Sequence, residues 1–262
     1  MGNSKKLFVL IVLIVSFFCF GNNQAMGAYA DVEVVMGNYT DFTSGNLQQV
    51  SGTLQITPTS GTLKWTDYHF AGASGWQYTG YVWSGASPGE SYPTQQVSGM
   101  AFSDAQLLTL FAKSDCSGNC YGEASAWFRD GFEIESPIGA AGPVLTHVSA
   151  DYSAYFSVFS PGFGDPASAS YTIYLDIIDK LQGTSVLSTW LGGGDSTEGW
   201  VPYSFDKFKE GKVSGDAYLM YGTEYVLKPK IQLFTRTPEP ATMLLLGLGL
   251  VGLVGLGRKI KK

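Results

Sequence analysis

The chain has 262 residues with 22 acidic and 16 basic side chains, and six of the bases lie near its two ends. Residues 31–236 therefore hold 21 acidic and 10 basic side chains, a net charge of −11, without a basic stripe that would suit a phosphate backbone. This charge argues against nucleic acid as a partner, and these 206 residues are enough for one domain with its own core.

The N-terminal segment has the order of a secretory signal peptide. Lys5-Lys6 precede an apolar run over residues 7–20, and a polar stretch then leads to the small-x-small sequence Ala28-Tyr29-Ala30. A basic start, an apolar centre and a small-residue site are typical of a leader that the Sec translocon receives and a peptidase removes. We expect residues 1–30 to be removed by a cut after Ala30, with a cut after Gly27 or Ala28 as the alternative.

The central region is rich in Gly, Ser, Thr and Tyr and alternates between apolar and polar residues over short segments. Residues 171–177 and 225–233 both place their apolar side chains on one face of a strand, as half-buried strands do. The sequence predicts an all-β, antiparallel β-sandwich or jelly-roll-like body over residues 31–236. Because Pro229 has no N–H for the ladder, we expect its strand to lie at a sheet edge or to bulge there.

Turn and cap signals add detail to this body. Asp130-Gly131 suits the positive φ angles of a two-residue hairpin turn, and Ser51-Gly52 predicts a hairpin between the flanking strands. Gly80 predicts a break in the aromatic segment 76–83. Residues 103–106 fit a capping box, and the apolar residues that follow predict one short helix that ends near Lys113.

Two cysteines remain once the leader is removed, Cys116 and Cys120, with the spacing Cys-Ser-Gly-Asn-Cys. In an oxidising compartment this pair predicts a small loop closed by a disulfide. A zinc site would need more ligands nearby, and His69 and His147 are remote in sequence. We therefore expect neither a metal nor an organic cofactor.

Two patterns resemble catalytic sites. Residues 85–89 match the Gly-x-Ser-x-Gly nucleophile elbow, but the residue after the serine must offer a backbone N–H, and Pro88 has none. Asp130, Glu133 and Glu135 could supply the two carboxylates of a glycoside hydrolase. Glu133 and Glu135 lie two apart on a strand, however, and a solvated face explains them as well. We expect a protein without catalytic activity.

A conspicuous glycine segment, Gly-Gly-Gly-Asp-Ser-Thr-Glu-Gly, occupies residues 192–199. It predicts a flexible loop. Asp195 and Glu198 could hold a structural calcium ion there, since calcium prefers oxygen ligands, although no Asp-x-Asp spacing supports it.

Aromatic residues are abundant, with six tryptophans and 15 tyrosines. Most aromatic side chains of a β-sandwich belong to the core, but an exposed ring can stack on a sugar. The candidates for carbohydrate stacking are Trp76 and Trp83 near glycine-rich turns, and Trp190 and Trp200 on either side of the glycine segment.

The last 26 residues have three parts. Thr237-Pro238-Glu239-Pro240 comes first, an uncharged apolar run over residues 241–256 follows, and the bases Arg258, Lys259, Lys261 and Lys262 end the chain. As a helix the 16 apolar residues reach ~24 Å, and snorkelling bases or a thinned bilayer would let them span a ~30 Å core. Because clustered bases stay in the cytoplasm, everything before Pro238 is expected outside it.

This three-part order resembles the PEP-CTERM sorting signal of Gram-negative bacteria that secrete exopolysaccharide. The resemblance is confined to residues 237–262 and departs from the usual pattern at Thr237, where valine is common. It implies recognition of Pro238, Glu239 and Pro240 by a membrane-embedded exosortase, a transient inner-membrane anchor, and a mature form at the cell surface or outside the cell. It further implies a non-catalytic role in a biofilm matrix with exopolysaccharide; the alternatives are a carbohydrate-binding module and a secreted polysaccharide hydrolase.

Overall fold

The computed structural model of the protein describes residues 28–79, 82–86, 99–104, 108–117, 120–160, 167–197 and 203–237. For residues 76–79, 82–86, 99–104, 117 and 120 it describes the backbone. Every regular element in these ranges is a β-strand, and they contain no helix. The predicted leader up to residue 27 and the whole tail from Pro238 onward lie outside the described residues.

In chain order the strands are β1 (Tyr29–Gly37), β2 (Tyr39–Ser44), β3 (Leu47–Gly52), β4 (Leu54–Pro58), β5 (Thr62–Thr79), β6 (Val82–Ala86), β7 (Gly99–Asp104), β8 (Thr109–Ser117), β9 (Cys120–Glu135), β10 (Pro143–Ser160), β11 (Ser168–Asp179), β12 (Ser185–Ser196), β13 (Tyr203–Met220) and β14 (Tyr225–Thr237). All pairings between them are antiparallel.

Two six-stranded sheets contain most of these strands. Sheet I has the order β13-β10-β1-β8-β7. Its sixth strand, β4, pairs with the first half of β10, on the same side of β10 where β1 pairs with the second half. Sheet II has the order β12-β11-β14-β9-β5-β6. The β2–β3 hairpin forms a small separate sheet.

The main core lies between the two sheets. Along β11 every second residue from Ala169 to Ile177 is buried and the residues between are partly exposed, which confirms the predicted alternation. These side chains share one apolar cluster with Val34, Val148 and Phe156 of sheet I. Each large apolar side chain that is buried in this way contributes ~1.5–3 kcal/mol, so the common core is what holds one sheet against the other.

The outer face of sheet I is covered in part by the β2–β3 hairpin. Leu47 and Val50 of the hairpin pack on Val35 of β1 and Phe111 of β8, and all four are buried. The rings of Phe42 and Phe111 have centroids 5.2 Å apart. The hairpin therefore adds a second, smaller apolar cluster on the far side of sheet I.

The helix predicted to end near Lys113 is wrong. β7 ends at Asp104, β8 begins at Thr109, and residues 105–107 lie outside the described ones. Leu110 faces the main core while Phe111 faces the hairpin, so this segment is apolar on both sides of a sheet. A strand that is covered on both faces has apolar residues on both, so its sequence lacks the alternation of apolar and polar residues that predicts a strand. Pairing of β8 with β1 therefore prevails over the local helix signal.

Both predicted hairpin turns are also wrong. Asp130-Gly131 lies inside β9, and glycine is needed there because a Cβ would collide with the Thr66 hydroxyl. The strands on either side of Ser51-Gly52, β3 and β4, do not form a hairpin with each other. β3 pairs with β2, and β4 pairs with β10. The segment around Gly80 forms two paired strands, since β5 ends at Thr79 and β6 begins at Val82, while Gly80 itself lies outside the described residues.

Pro229 does not mark a sheet edge. Its strand, β14, lies inside sheet II between β11 and β9. The ladder with β9 passes from the Leu227–Asp130 pair to the Lys230–Trp127 pair and skips the two residues between them. This interruption accommodates the missing N–H of the proline within an interior strand.

Candidate functional site

The chain enters and leaves the two sheets at neighbouring points. β1 begins at Tyr29, whose backbone is in register with Ser117 at the end of β8. β14 ends at Thr237, in register with Cys120 at the start of β9. The predicted leader and the sorting tail are therefore continuous with the same end of the fold.

Cys116 lies buried at this end of sheet I, and its sulfur is 3.4 Å from Oγ1 of Thr237 in sheet II. Because the side chain of Cys120 is not among those described, the pairing of Cys116 with Cys120 stays a prediction. Such a bond would join the end of β8 to the start of β9, where the chain crosses from sheet I to sheet II.

The flexible loop predicted at residue 192 is a strand. Gly192, Gly193 and Gly194 lie in β12 and pair with β11. A Cβ on Gly193 would come within 2.7 Å of the Tyr171 hydroxyl, so glycine allows β12 to approach β11 closely. Asp195 follows on the same strand, whereas Glu198 lies outside the described residues, so the possible calcium pair stays a prediction.

The four candidate tryptophans do not form one site. Trp190 lies on the edge strand β12 and is 68% exposed. Trp76 and Trp83 lie on β5 and β6 at the opposite edge of sheet II, where only their backbone is described. Trp200 lies outside the described residues. A different set of side chains surrounds Trp190.

A row of large side chains crosses the outer face of sheet II. The strand register puts Trp190, Tyr174, Lys230 and Trp127 opposite one another on β12, β11, β14 and β9. We call these four residues the aromatic row. Three inter-strand steps of ~4.8 Å place the Cα atoms of its two tryptophans roughly 14 Å apart. The Lys230 ammonium lies 6.0 Å from the centre of the Tyr174 ring.

Trp127 lies across a glycine of the next strand. Gly72 of β5 is its partner in the ladder, and a Cβ on Gly72 would come within 2.6 Å of the indole Cε2. The Arg129 guanidinium lies 5.4 Å from the centre of the Trp127 ring on the exposed side of the sheet. The missing side chain at Gly72 therefore lets the indole lie flat against the strand.

A row of small polar residues, which we call the polar row, runs beside the aromatic row. Its members in strand order are Gly192, Thr172, Gln232, Ser125 and Ser74. Two of them, Ser74 and Ser125, have hydroxyls 2.8 Å apart, and Gln232 Nε2 donates to Glu123 at 2.8 Å. Beyond the polar row the rings of Tyr121 and Phe234 lie 6.4 Å apart. The polar row is thus the floor of a shallow trough between larger side chains.

Basic side chains gather on this face. Lys228, Lys230 and Arg236 of β14 and Arg129 of β9 share it with the acids Asp176 and Glu123. Glu133 and Glu135 lie farther along β9 on the same face, where they pair with Lys64. Among the described residues none of these four bases is in a salt bridge, whereas four other bases, Lys64, Lys113, Lys180 and Lys212, are. The sequence placed Lys228, Lys230 and Gln232 on one face of a strand. It carried no signal for which residues of β9, β11 and β12 would lie beside them.

A buried carboxylate fastens the β2–β3 hairpin to sheet I. Glu33 of β1 is fully buried, and its carboxylate accepts N–H groups of Asn46 at 2.8 Å and Leu47 at 3.4 Å. The same carboxylate accepts a hydrogen bond from Lys113 Nζ at 2.6 Å. Gly45 has φ +54°, and a Cβ there would strike the Glu33 carboxylate. The hairpin turn is therefore built around this charge.

Asp31 lies next to this pair. Its Oδ2 is 3.8 Å from Lys113 Nζ, while its buried Oδ1 has no hydrogen-bond partner among the described residues. Burial raises the pKa of Asp31 from 3.8 to about 7, although the Lys113 ammonium opposes this shift. Burial by itself would lower the pKa of Lys113, but the carboxylates of Asp31 and Glu33 outweigh it and raise that pKa.

The three carboxylates considered for a glycoside hydrolase site, those of Asp130, Glu133 and Glu135, each contact a basic or imidazole side chain. Glu133 and Glu135 both lie near Lys64, with Oε1–Nζ distances of 3.1 and 3.3 Å, so they share one face as predicted. Asp130 is buried and contacts Nδ1 of His69. The His69 ring is oriented by a carboxylate, and the nearby hydroxyl of Thr66 donates to Glu224 at 2.9 Å.

Neither a metal centre nor a membrane helix is found in the described part of the chain. No group of three or more His, Cys, Asp or Glu side chains there is arranged to hold a metal ion. The described residues likewise contain no helix that is long and apolar enough to cross a bilayer.

The described residues define an all-β protein of two antiparallel sheets whose last strand leads directly into the tail. Residues 236–259 match the family model of the PEP-CTERM protein-sorting motif, which confirms the resemblance drawn from Pro238, Glu239 and Pro240. The tail is thus a PEP-CTERM sorting signal. The motif implies an exported extracellular protein that is anchored in a membrane and then processed by an exosortase.

The family model covers the tail and does not extend into the body. No curated protein matches the chain at a significant level. A vicilin crystal structure from Solanum melongena is 6% identical over 80% of this chain and 70% of its own, with a TM-score of 0.10. A TM-score this low carries no structural argument, so the sheets have to be interpreted from their own side chains.

Proposed function

We propose that the protein is a non-catalytic component of the extracellular matrix or cell surface of a Gram-negative bacterium, associated with exopolysaccharide in a biofilm. The observation that carries this proposal is the sorting signal at residues 236–259. A protein that is cut from its membrane anchor acts outside the cell, where secreted polysaccharide is the main polymer of a biofilm.

Two features of the body support this role. The central region has a net charge of −11, which favours solubility outside the cell. Both ends of the body lie at one end of the sheets, next to Cys116 and Thr237. A body held by this end would present the rest of both sheets to the surroundings before and after the anchor is cut.

The predicted Cys116–Cys120 disulfide belongs to this proposal. It would close a short loop between the sheets at the point where the tail leaves the fold, in the oxidising compartment that export implies. A bond there would hold the end of β14 in place while the tail is cut.

The first test of the proposal is the intact mass and cell fraction of the native protein in strains with and without the exosortase. We expect a species without residues 241–262 in the medium or at the surface only when the enzyme is present. A Glu239→Gln variant should stay uncut in both strains, and an Asp216→Asn variant, whose change lies on exposed β13, should be cut like the wild type. A full-length species in the inner membrane of both strains would refute the proposal.

The second test concerns the matrix role. In a strain that cannot make exopolysaccharide we expect the mature protein to be lost from the matrix fraction and recovered in the medium. Equal retention in both strains would refute the association. Release of new reducing ends from the purified polysaccharide would show a hydrolase instead of a binding protein.

A further inference from the structure

We propose that the aromatic row and the polar row on sheet II bind an acidic polysaccharide, a glycan chain whose sugars carry carboxylates. The proposal rests on the association with exopolysaccharide put forward above, and it adds to that association a site and the charge of the ligand.

The aromatic row contains rings that the core does not need. Trp190 is 68% exposed, and Tyr174 and Trp127 stand on the solvent face of strands whose inner faces fill the core with Tyr171, Ile173 and Phe128. Single exposed rings are common, but a contiguous row of rings on the solvent side of a sheet is typical of a surface that binds a ligand. The apolar C–H face of a sugar ring suits it, because the hydroxyls around the ring stay free for polar contacts.

The polar row supplies those contacts. Thr172, Gln232 and Ser74 offer hydroxyl and amide groups two residues along their strands from the aromatic row, and the buried Ser125 hydroxyl pairs with that of Ser74. Gly192 leaves the floor open at the β12 edge, next to Trp190. Since the aromatic row crosses four strands, a span of roughly 14 Å between its two tryptophans fits a chain of sugars better than a single one.

The charge of the ligand follows from the bases around the rows. Arg129, Lys228, Lys230 and Arg236 are four of the ten bases of residues 31–236. The acids nearest to them are Asp176 and Glu123, while Glu133 and Glu135, farther along β9 on the same face, pair with Lys64. The donors of these four bases are not taken up by salt bridges within the described residues. Guanidinium and ammonium groups form strong charge-assisted hydrogen bonds with carboxylates. The remaining negative charge of the body is screened over ~8 Å at physiological salt, so the nearest bases decide the contact.

Single-stranded nucleic acid is the other polymer that stacks on aromatic rings near bases. It carries a charge on every nucleotide and needs a continuous basic track along its backbone. Here Asp176 and Glu123 interrupt the four bases, and the floor is lined by hydroxyl and amide groups. Sugars with occasional carboxylates match this spacing, and a polynucleotide does not.

The test is affinity electrophoresis of the mature protein, purified from the producing cells, in gels that contain the cells' own extracellular polysaccharide. A parallel gel contains the same polysaccharide after its carboxyl groups have been reduced to alcohols. The informative variants are Trp190→Ala and the double variant Lys228→Gln/Lys230→Gln. Tyr218→Ala is the matched control for the first, because Tyr218 is 70% exposed on the outer face of sheet I. Lys207→Gln/Lys209→Gln, on exposed β13, matches the second.

We expect the wild type and both controls to be retarded by the native polysaccharide. Trp190→Ala and Lys228→Gln/Lys230→Gln should each bind at least roughly tenfold more weakly. Retardation should weaken with added salt and be lost with the carboxyl-reduced polysaccharide. Circular dichroism of each variant shows whether its sheets are intact. Gly72→Ala, which displaces the Trp127 ring without removing it, should also weaken binding.

The outcomes separate the two proposals. If the wild type is retarded and both sheet II variants behave like their controls, the site is refuted while the association with polysaccharide stands. If binding survives carboxyl reduction, the ligand is neutral and the acidic assignment is refuted. If the wild type is not retarded at all, both proposals fail. Stronger retardation by single-stranded DNA than by the polysaccharide would also refute the site as described.

Discussion

Replacing Glu33 by glutamine tests whether one buried charge holds the β2–β3 hairpin on sheet I. The carboxylate accepts bonds from two backbone N–H groups on one side and from Lys113 on the other. Glutamine has a single carbonyl oxygen, so its NH₂ group must face either the ammonium or the backbone donors. Glu33→Gln therefore loses the ion pair and part of the turn contacts together.

The size of the effect follows from the burial of the pair. Glu33 is fully buried and the Lys113 side chain is 22% exposed, and breaking a buried ion pair costs ~3–5 kcal/mol. Asp31, 3.8 Å from the same ammonium, can ionise and offset part of this loss. We expect the free energy of unfolding to fall by about 3 kcal/mol, which in a domain of this size lowers the Tm by roughly 6–12 °C.

The assay is urea unfolding of the mature protein, followed by intrinsic tryptophan fluorescence and circular dichroism. Glu135→Gln is the matched control, since Glu135 and Lys64 are largely exposed and surface pairs contribute little. Limited proteolysis shows whether the loss is local to the β2–β3 hairpin. If Glu33→Gln unfolds at the same urea concentration as Glu135→Gln and its hairpin resists protease equally, the assigned role of Glu33 is refuted.

Because the folded pKa of Asp31 is about 7 and its unfolded value about 3.8, the folded state binds more protons between these values, so stability falls by about 2.5 kcal/mol from pH 5 to pH 8. Urea midpoints at both pH values check this, and Asp31→Asn should remove the fall; an unchanged fall would refute the assignment. The sequence favours a leader cut after Ala30, but Ala28 and Ala30 are buried and β1 begins at Tyr29, so the structure favours the alternative cut behind Gly27. N-terminal sequencing should then find Ala28 first, and a chain that starts at Asp31 would support the cut after Ala30 instead. Alkylation of Cys116 and Cys120 should require prior reduction, and the mass should rise by the two hydrogens that reduction adds; thiols that react without reductant would rule out the disulfide.

Local patterns predicted the strand content of this protein but not the partners of each strand. The alternation around Tyr171 and Leu227 was read correctly, since burial on one face of a strand imposes a period of two on the strand itself. The segment from Asp104 to Lys113 was misread as a helix. Its strand is apolar on both faces because the β2–β3 hairpin covers one side and the main core the other.

The same limit applies to the candidate binding face. The sequence singled out Trp190 and put Lys228 and Lys230 on one face of a strand. It placed Trp190 beside a flexible glycine loop, although the glycines belong to the strand that carries it. Tyr174 and Trp127 join Trp190 only through the register of β9, β11, β12 and β14, whose segments are far apart along the chain.

The sequence by itself determined where the protein is sent, because a sorting signal is read as a linear segment: the tail from Pro238 to Lys262 carries its information in the order of motif, apolar run and bases. The tertiary structure decided which side chains of the body act together. Glu33 meets the turn at Asn46, and Trp127 meets Gly72, through pairings set by the packing of two whole sheets. Contacts of this kind depend on strand order and register, which no short stretch of sequence specifies.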